Sequence, residues 1–138
     1  MIARHLALAT CLAAAPALAA PALAAPVSPE EFRDYAEGYT LYFEREGEPW
    51  GAESFAEGGG VVWRYPSGEC MAGVWSGHDG KVCFYYGPGT EVLCWEMERE
   101  DGRLLGTLLG DGPDAGLTLE IVRRDRLPLL CGDPGADL

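Results

Sequence analysis

The chain reads as an all-β fold: an antiparallel meander of about eight strands, closed as a small barrel, behind a short N-terminal helix. Three observations point there. From Tyr39 onward the apolar residues recur with a period of two rather than three to four. Tight, glycine-bearing turn signals separate the apolar stretches at regular intervals. Four cysteines, Cys70, Cys83, Cys94 and Cys131, fall in or after these stretches and follow an export signal. No helical pattern long enough for a crossover lies between the strands, which excludes a parallel α/β sheet. A two-sheet sandwich is the alternative architecture.

The first element is the export signal. A short basic start, Met1-Ile2-Ala3-Arg4-His5, precedes an apolar run over residues 6–20. The triplets Ala17-Leu18-Ala19 and Ala22-Leu23-Ala24 then offer small-residue cleavage sites. Cleavage is expected after Ala24, with Ala19 as second choice. Residues 1–24 are thus a signal peptide, and residues 25–138 form one disulfide-stapled domain of ordinary size. Pro16 and Pro21 oppose a continuous spanning helix, and no later segment is apolar enough to span a membrane. Cys11, after Leu8-Ala9-Thr10, fits a lipid-attachment signal poorly, and the reading favours its removal with the signal. The Ala-rich signal, the glycine content and a single lysine, Lys81, point to a high-GC bacterial source. The expected location is therefore the periplasm or the medium.

The helix comes next. Ser28 is a cap residue, Pro29 suits the first helical position, and Glu30 and Glu31 favour the first turn. Phe32, Tyr35 and Ala36 share one face, and Gly38 stops the helix. Strands are predicted over residues 39–45, 49–55, 60–65, 69–76, 81–86, 91–98, 103–109 and 117–124. The turn signals between them include Glu46-Gly47, Pro66-Ser67-Gly68, Asp79-Gly80, Pro88-Gly89 and Asp101-Gly102.

Turn positions fix the register. With Asp79-Gly80 at a two-residue turn, Trp75 faces Phe84 and Ser76 faces Cys83. With Pro88-Gly89 at the next turn, Cys83 faces Cys94 and Val82 faces Trp95. A three-residue loop at Pro66-Ser67-Gly68 sets Trp63 opposite Met71. One face then carries Val61, Trp63, Trp75, Phe84, Trp95 and Met97; the other carries Arg64, Cys70, Cys83, Cys94 and Glu96. A slip of one residue would put the whole aromatic set in water. Directly opposed residues have Cα atoms about 4.5–5.5 Å apart, so Cys83 and Cys94 can be bridged. Cys70 lies about 20 Å along the strand from Cys83's partner, which leaves it to pair with Cys131. That second bridge would hold the tail against the outside of the sheet.

The chain carries a net charge of −12 at pH 7. Such a surface repels phosphate backbones, which argues against nucleic acid and anionic membrane; its first role is solubility, and any partner it steers would be a cationic protein. The cysteine spacings hold no two-residue knuckle, and an oxidising compartment favours disulfides over zinc. No cofactor motif, HExxH, GxSxG, P-loop or Rossmann fingerprint occurs, and no catalytic residue is assigned. His78, the one histidine after the signal, sits in a turn beside Asp79 and reads as solvated. Most acids, Glu53 among them, read as outer-face or turn residues. Glu91 is the expected exception, pointing inward at a sheet end toward Tyr86 as a rim carboxylate. The Asp111-Gly112-Pro113-Asp114 run lacks the alternating pattern of a calcium loop. Trp63, Trp75 and Trp95 are candidate lining residues of an interior pocket, with core packing as the other role. Trp50, beside a turn, is the candidate for an exposed contact, with core packing as the equal alternative.

The run Gly68-Glu69-Cys70-Met71-Ala72-Gly73-Val74-Trp75, then Val82-Cys83-Phe84-Tyr85-Tyr86, then Cys94-Trp95, resembles a family of small secreted alphaproteobacterial proteins. The family pattern is G-x-C-x-x-G-x-W, I/V-C-F-x-Y and C-W, after an acidic helix and a Trp-ended strand like residues 59–63. The resemblance covers most of residues 25–138 and implies no activity. The general shape is also similar to periplasmic β-barrel inhibitors of proteases or lysozymes, a likeness of architecture alone. The favoured functional expectation is a non-enzymatic binding module for a protein, such as a cationic hydrolase. The alternatives are a lipocalin-like carrier with a Trp-lined interior and an enzyme that uses acidic residues.

Overall fold

The structure, a computed structural model, describes residue 20 and residues 23–132. Cys11 and residues 1–19, where most of the expected export signal falls, lie outside the described residues. The elements run β1 (Ala25–Pro26), α1 (Pro29–Ala36), β2 (Thr40–Arg45), β3 (Glu48–Phe55), β4 (Gly60–Arg64), β5 (Cys70–His78), β6 (Lys81–Tyr85), β7 (Leu93–Glu100), β8 (Arg103–Leu108) and β9 (Thr118–Asp125). Each strand from β2 to β9 pairs antiparallel with its chain neighbours, and β9 returns to pair with β2. The eight strands therefore close as an up-and-down barrel. The expected meander and its closure are both present, and the sandwich is excluded.

The ninth strand was not foreseen. Residues of β1 pair with the second half of β7, Ala25 opposite Arg99 and Pro26 opposite Glu98. A two-residue strand offers no period to read. The other registers agree with expectation: Trp75 opposite Phe84, Cys83 opposite Cys94, Val82 opposite Trp95 and Trp63 opposite Met71. Local chemistry explains why they could be read. Asp79 and Gly80 have φ of 47° and 74°, the paired positive angles of a type I′ turn, which matches the twist of the strands it joins.

At one end the barrel is stoppered by α1. Ser28 accepts from the Glu31 amide while the Glu31 carboxylate accepts from the Ser28 amide, a reciprocal cap that fixes where the helix starts. The helix buries Phe32 and Ala36. The Phe32 ring meets Phe55 and Trp75 edge-on at 5.6 and 5.4 Å. Phe55, Val61, Trp75, Val82 and Phe84 complete the core above it. The loops at the opposite end lie between β2 and β3, β4 and β5, β6 and β7, and β8 and β9.

Both disulfides match the expected pairs. Cys83–Cys94 crosses directly between β6 and β7, with Cα atoms 4.0 Å apart. Cys70–Cys131 closes a separation of 61 residues. The tail before Cys131 climbs the outside of the barrel. Thr40 Oγ1 donates to the Leu127 carbonyl at 2.7 Å, Arg64 Nε to the Leu130 carbonyl at 2.8 Å, and the Gly132 amide to Gly68. Arg64, on the outer face as expected, is nonetheless buried, because the tail lies over it. Among the described residues no helix is long and apolar enough to cross a membrane.

In the chain-entropy account, a bridge across 61 residues contributes about 4 kcal/mol. Replacing Cys70 and Cys131 together by serine should lower the unfolding free energy in urea by about that amount. A loss under about 1 kcal/mol would mean that the hydrogen bonds alone hold the tail.

Candidate functional site

Between the α1 stopper and the loop end lies a cavity of about 280 Å³. Phe32, Phe84 and Met97 line its deep end, and Phe43, Trp63 and Trp95 its walls. Trp50 and Tyr65, 38% and 39% exposed, stand where it meets solvent, with Leu117 and Asp114 across from them.

Two glycines make room for this arrangement. The inward face of β3 has no side chain at Gly51, and the Trp63 ring lies where a Cβ would be. At Gly73 a Cβ would come within 2.6 Å of the Tyr86 ring and 2.7 Å of the Tyr85 carbonyl. Tyr86 therefore reaches over β5 and back toward β3. Its ring stacks on Phe84 at 6.2 Å with a 6° tilt, and its hydroxyl donates to Glu53 Oε1 at 2.6 Å.

Glu53 is the chemical centre of the cavity. It points inward because β3 alternates Gly51, Glu53 and Phe55 toward the axis, and it is 2% exposed. Its cross-strand neighbours are Leu41 and Trp63. Burial pushes the carboxyl up to about 8, against a smaller downward pull from the Tyr86 hydrogen bond. The phenol of Tyr86 is raised as well, first by burial and then by the adjacent carboxyl. At neutral pH the carboxyl is mostly protonated, so the pair presents hydrogen-bonding groups to an otherwise aromatic chamber. Hydrolysis of a glycoside needs a second carboxyl facing the first across the substrate. The other acid lining the cavity is Asp114, exposed in the loop between β8 and β9.

The expected tryptophan set divides. Trp75 is core, held among Phe32, Phe55 and Phe84 with Arg33 over its outer side at 4.5 Å. Trp63 and Trp95 line the cavity, and Trp50 stands at its mouth with Arg45 5.3 Å from its ring. Cys70, Cys83, Cys94 and Cys131 are disulfide-bonded on the outside of the barrel. His78 is exposed at the far end, beside Asp79. Among the described residues no three His, Cys, Asp or Glu side chains gather to hold a metal ion.

Two carboxylate expectations are corrected. Glu91 is exposed, because the ladder of β7 begins only at Leu93 and parity has no force in the loop before it. The acid on Tyr86 is Glu53, which faces inward rather than lying on the outer face. The alternation Gly51, Glu53, Phe55 carried the signal, since Phe55 cannot face the core without Glu53 facing it too. Comparison with known protein families, curated proteins and solved structures finds no match for the chain.

A carboxyl raised from 4.5 to about 8 favours folding most below its unfolded value. Its contribution falls by up to about 1.4 kcal/mol per pH unit between those two values and is constant above the higher one. Glu53→Gln removes that dependence. The stability of the variant relative to the parent should rise between pH 5 and pH 8 in urea titrations. A difference that stays flat across this range would show that Glu53 is not buried as described.

Proposed function

We infer that the protein binds a small, largely apolar molecule inside its barrel, as a carrier or capture protein of the periplasm or the extracellular medium. The observation that carries this reading is the cavity of about 280 Å³ among Phe43, Trp63 and Trp95, open beside Trp50. Eight-stranded barrels can be filled by their own side chains or hold one small ligand. Here inward glycines let the Trp63 and Tyr86 rings lie flat against the barrel wall, and the space enclosed between the rings is left open. The volume is near the lower end of ordinary ligand sites and suits a compact guest of up to about three rings rather than a long acyl chain. Two disulfides accord with an oxidising compartment.

A protein-binding role is the second reading. It draws on one observation, the exposed pair Trp50 and Tyr65 on the rim of an acidic molecule. A partner could then place an apolar side chain in the mouth, and a cationic surface would suit it best.

The neutral fluorophore N-phenyl-1-naphthylamine tests the first reading. It should bind with a rise in emission. Leu117→Trp, which narrows the mouth, should weaken it at least about tenfold while shifting Tm by only a few degrees. Val122→Trp, on the exposed outer face, should leave binding unchanged. Equal binding by all three proteins would place the dye on the surface and defeat the reading.

A further inference from the structure

We propose that the cavity selects an organic cation, a small substituted ammonium carrying an apolar or aromatic group, with Glu53 as its counter-ion and the Trp63 and Trp95 rings as its walls. This rests on the interior-ligand reading above and names the chemistry of the guest.

The first component is the carboxyl itself. Glu53 is a buried acid whose flanking strands place Leu41 and Trp63 beside it. None of the cavity-lining residues is Lys, Arg or His, so the interior supplies no cation to match it. A carboxylate held in an apolar chamber without a positive partner is costly, and an incoming ammonium would remove that cost. A carboxyl has two oxygens with several acceptor sites; Tyr86 occupies one, which leaves capacity on a group that lines the void.

The aromatic lining supplies the second component. Ring faces attract cations, and a desolvated aromatic enclosure binds quaternary ammonium groups well. Phe43 and Trp63 lie 5.5 Å apart, and Trp63 and Tyr65 6.1 Å, which makes a nearly continuous aromatic wall from mouth to interior. The net charge of −12 supplies the third: it draws cations toward the mouth and repels anions. An anionic or neutral lipid would meet none of these features except the apolar surface.

Proton linkage gives the proposal a signature. The ionisable groups lining the cavity are Glu53, Tyr65, Tyr86 and Asp114. Burial holds the Glu53 carboxyl protonated below about pH 8, and a cation binds the ionised form. Binding at pH 7 therefore releases a proton from Glu53 to solvent. Affinity rises with pH, approaching tenfold per unit, until Glu53 is ionised before the guest arrives.

The probes are benzyltrimethylammonium, whose charge does not titrate, and neopentylbenzene, its neutral carbon counterpart. Each displaces N-phenyl-1-naphthylamine from the oxidised protein, and calorimetry in buffers of different ionisation enthalpy counts protons. The cation should bind at least tenfold more tightly than its counterpart at pH 8.5. Its affinity should climb from pH 6 and level off near pH 8, with proton release below that point. Glu53→Gln should abolish both the preference and the pH dependence while still binding the fluorophore. Should that variant fail to fold, Tyr86→Phe serves instead. Without the phenol's hydrogen bond the carboxyl titrates higher, so the level region should begin at a higher pH. Equal binding of the two probes at every pH would overturn the cation proposal and leave an apolar-ligand protein. Failure of all three compounds to bind would overturn both.

Discussion

When β9 pairs with β2 the sheet loses both of its edges, and every side chain on eight strands must point into the barrel or out of it. The alternation of each strand becomes a partition, and each residue's chemistry is then judged by the side it falls on. Trp75 and Phe84 gain a core by falling inside. Glu53 falls inside too, because Gly51 and Phe55 on either side of it are committed there. Its buried carboxyl follows from closure rather than from any local preference of glutamate.

The outside of the same wall is used differently. Polar and aromatic residues there are covered in part by other segments rather than by a second sheet. Arg123 lies 3.5 Å from the centre of the Tyr42 ring, and at the helix end Arg124 lies 4.0 Å from that of Tyr39 and donates to the Tyr35 carbonyl. The tail hides Arg64 and Thr40. Lys81 and Glu96 meet at 3.1 Å across β6 and β7, near the Cys83–Cys94 bridge. Exposed pairs of this kind contribute little stability each. The apolar interior, the helix stopper and the two crosslinks are the main sources of stability, while the acidic exterior keeps the molecule charged.

Much of this could be read from the residues. Turns of two and three residues are short enough to fix strand register, so Asp79-Gly80 and Pro66-Ser67-Gly68 fixed which residues oppose which. The Ser28 cap and the Phe32–Ala36 spacing gave the helix, and register then gave both disulfides. What could not be read was of longer range. A glutamate among other acids on a turn-flanked strand has no local mark of burial. Only a closed sheet, with Gly73 letting Tyr86 swing across β5, places a phenol against Glu53 from three strands away. The cavity was equally hidden, because the same tryptophans would serve a filled core. Its existence depends on how the rings settle against the wall, Trp63 over Gly51 and Tyr86 over Gly73, an arrangement that belongs to the assembled interior. Glu91 is the opposite case: it lies before the β7 ladder begins at Leu93, in a loop that alternation does not govern.

The crosslink between Cys70 and Cys131 has a bearing on molecular capture. Cys70 opens β5 at the mouth, next to Met71 and just past the hairpin that carries Tyr65. One lip of the opening is thus covalently strapped to the tail that follows β9. Chain segments that are already immobile surrender little additional freedom when a guest arrives. The strap therefore acts as advance ordering of the doorway, so that more of the attraction within the chamber remains as net affinity.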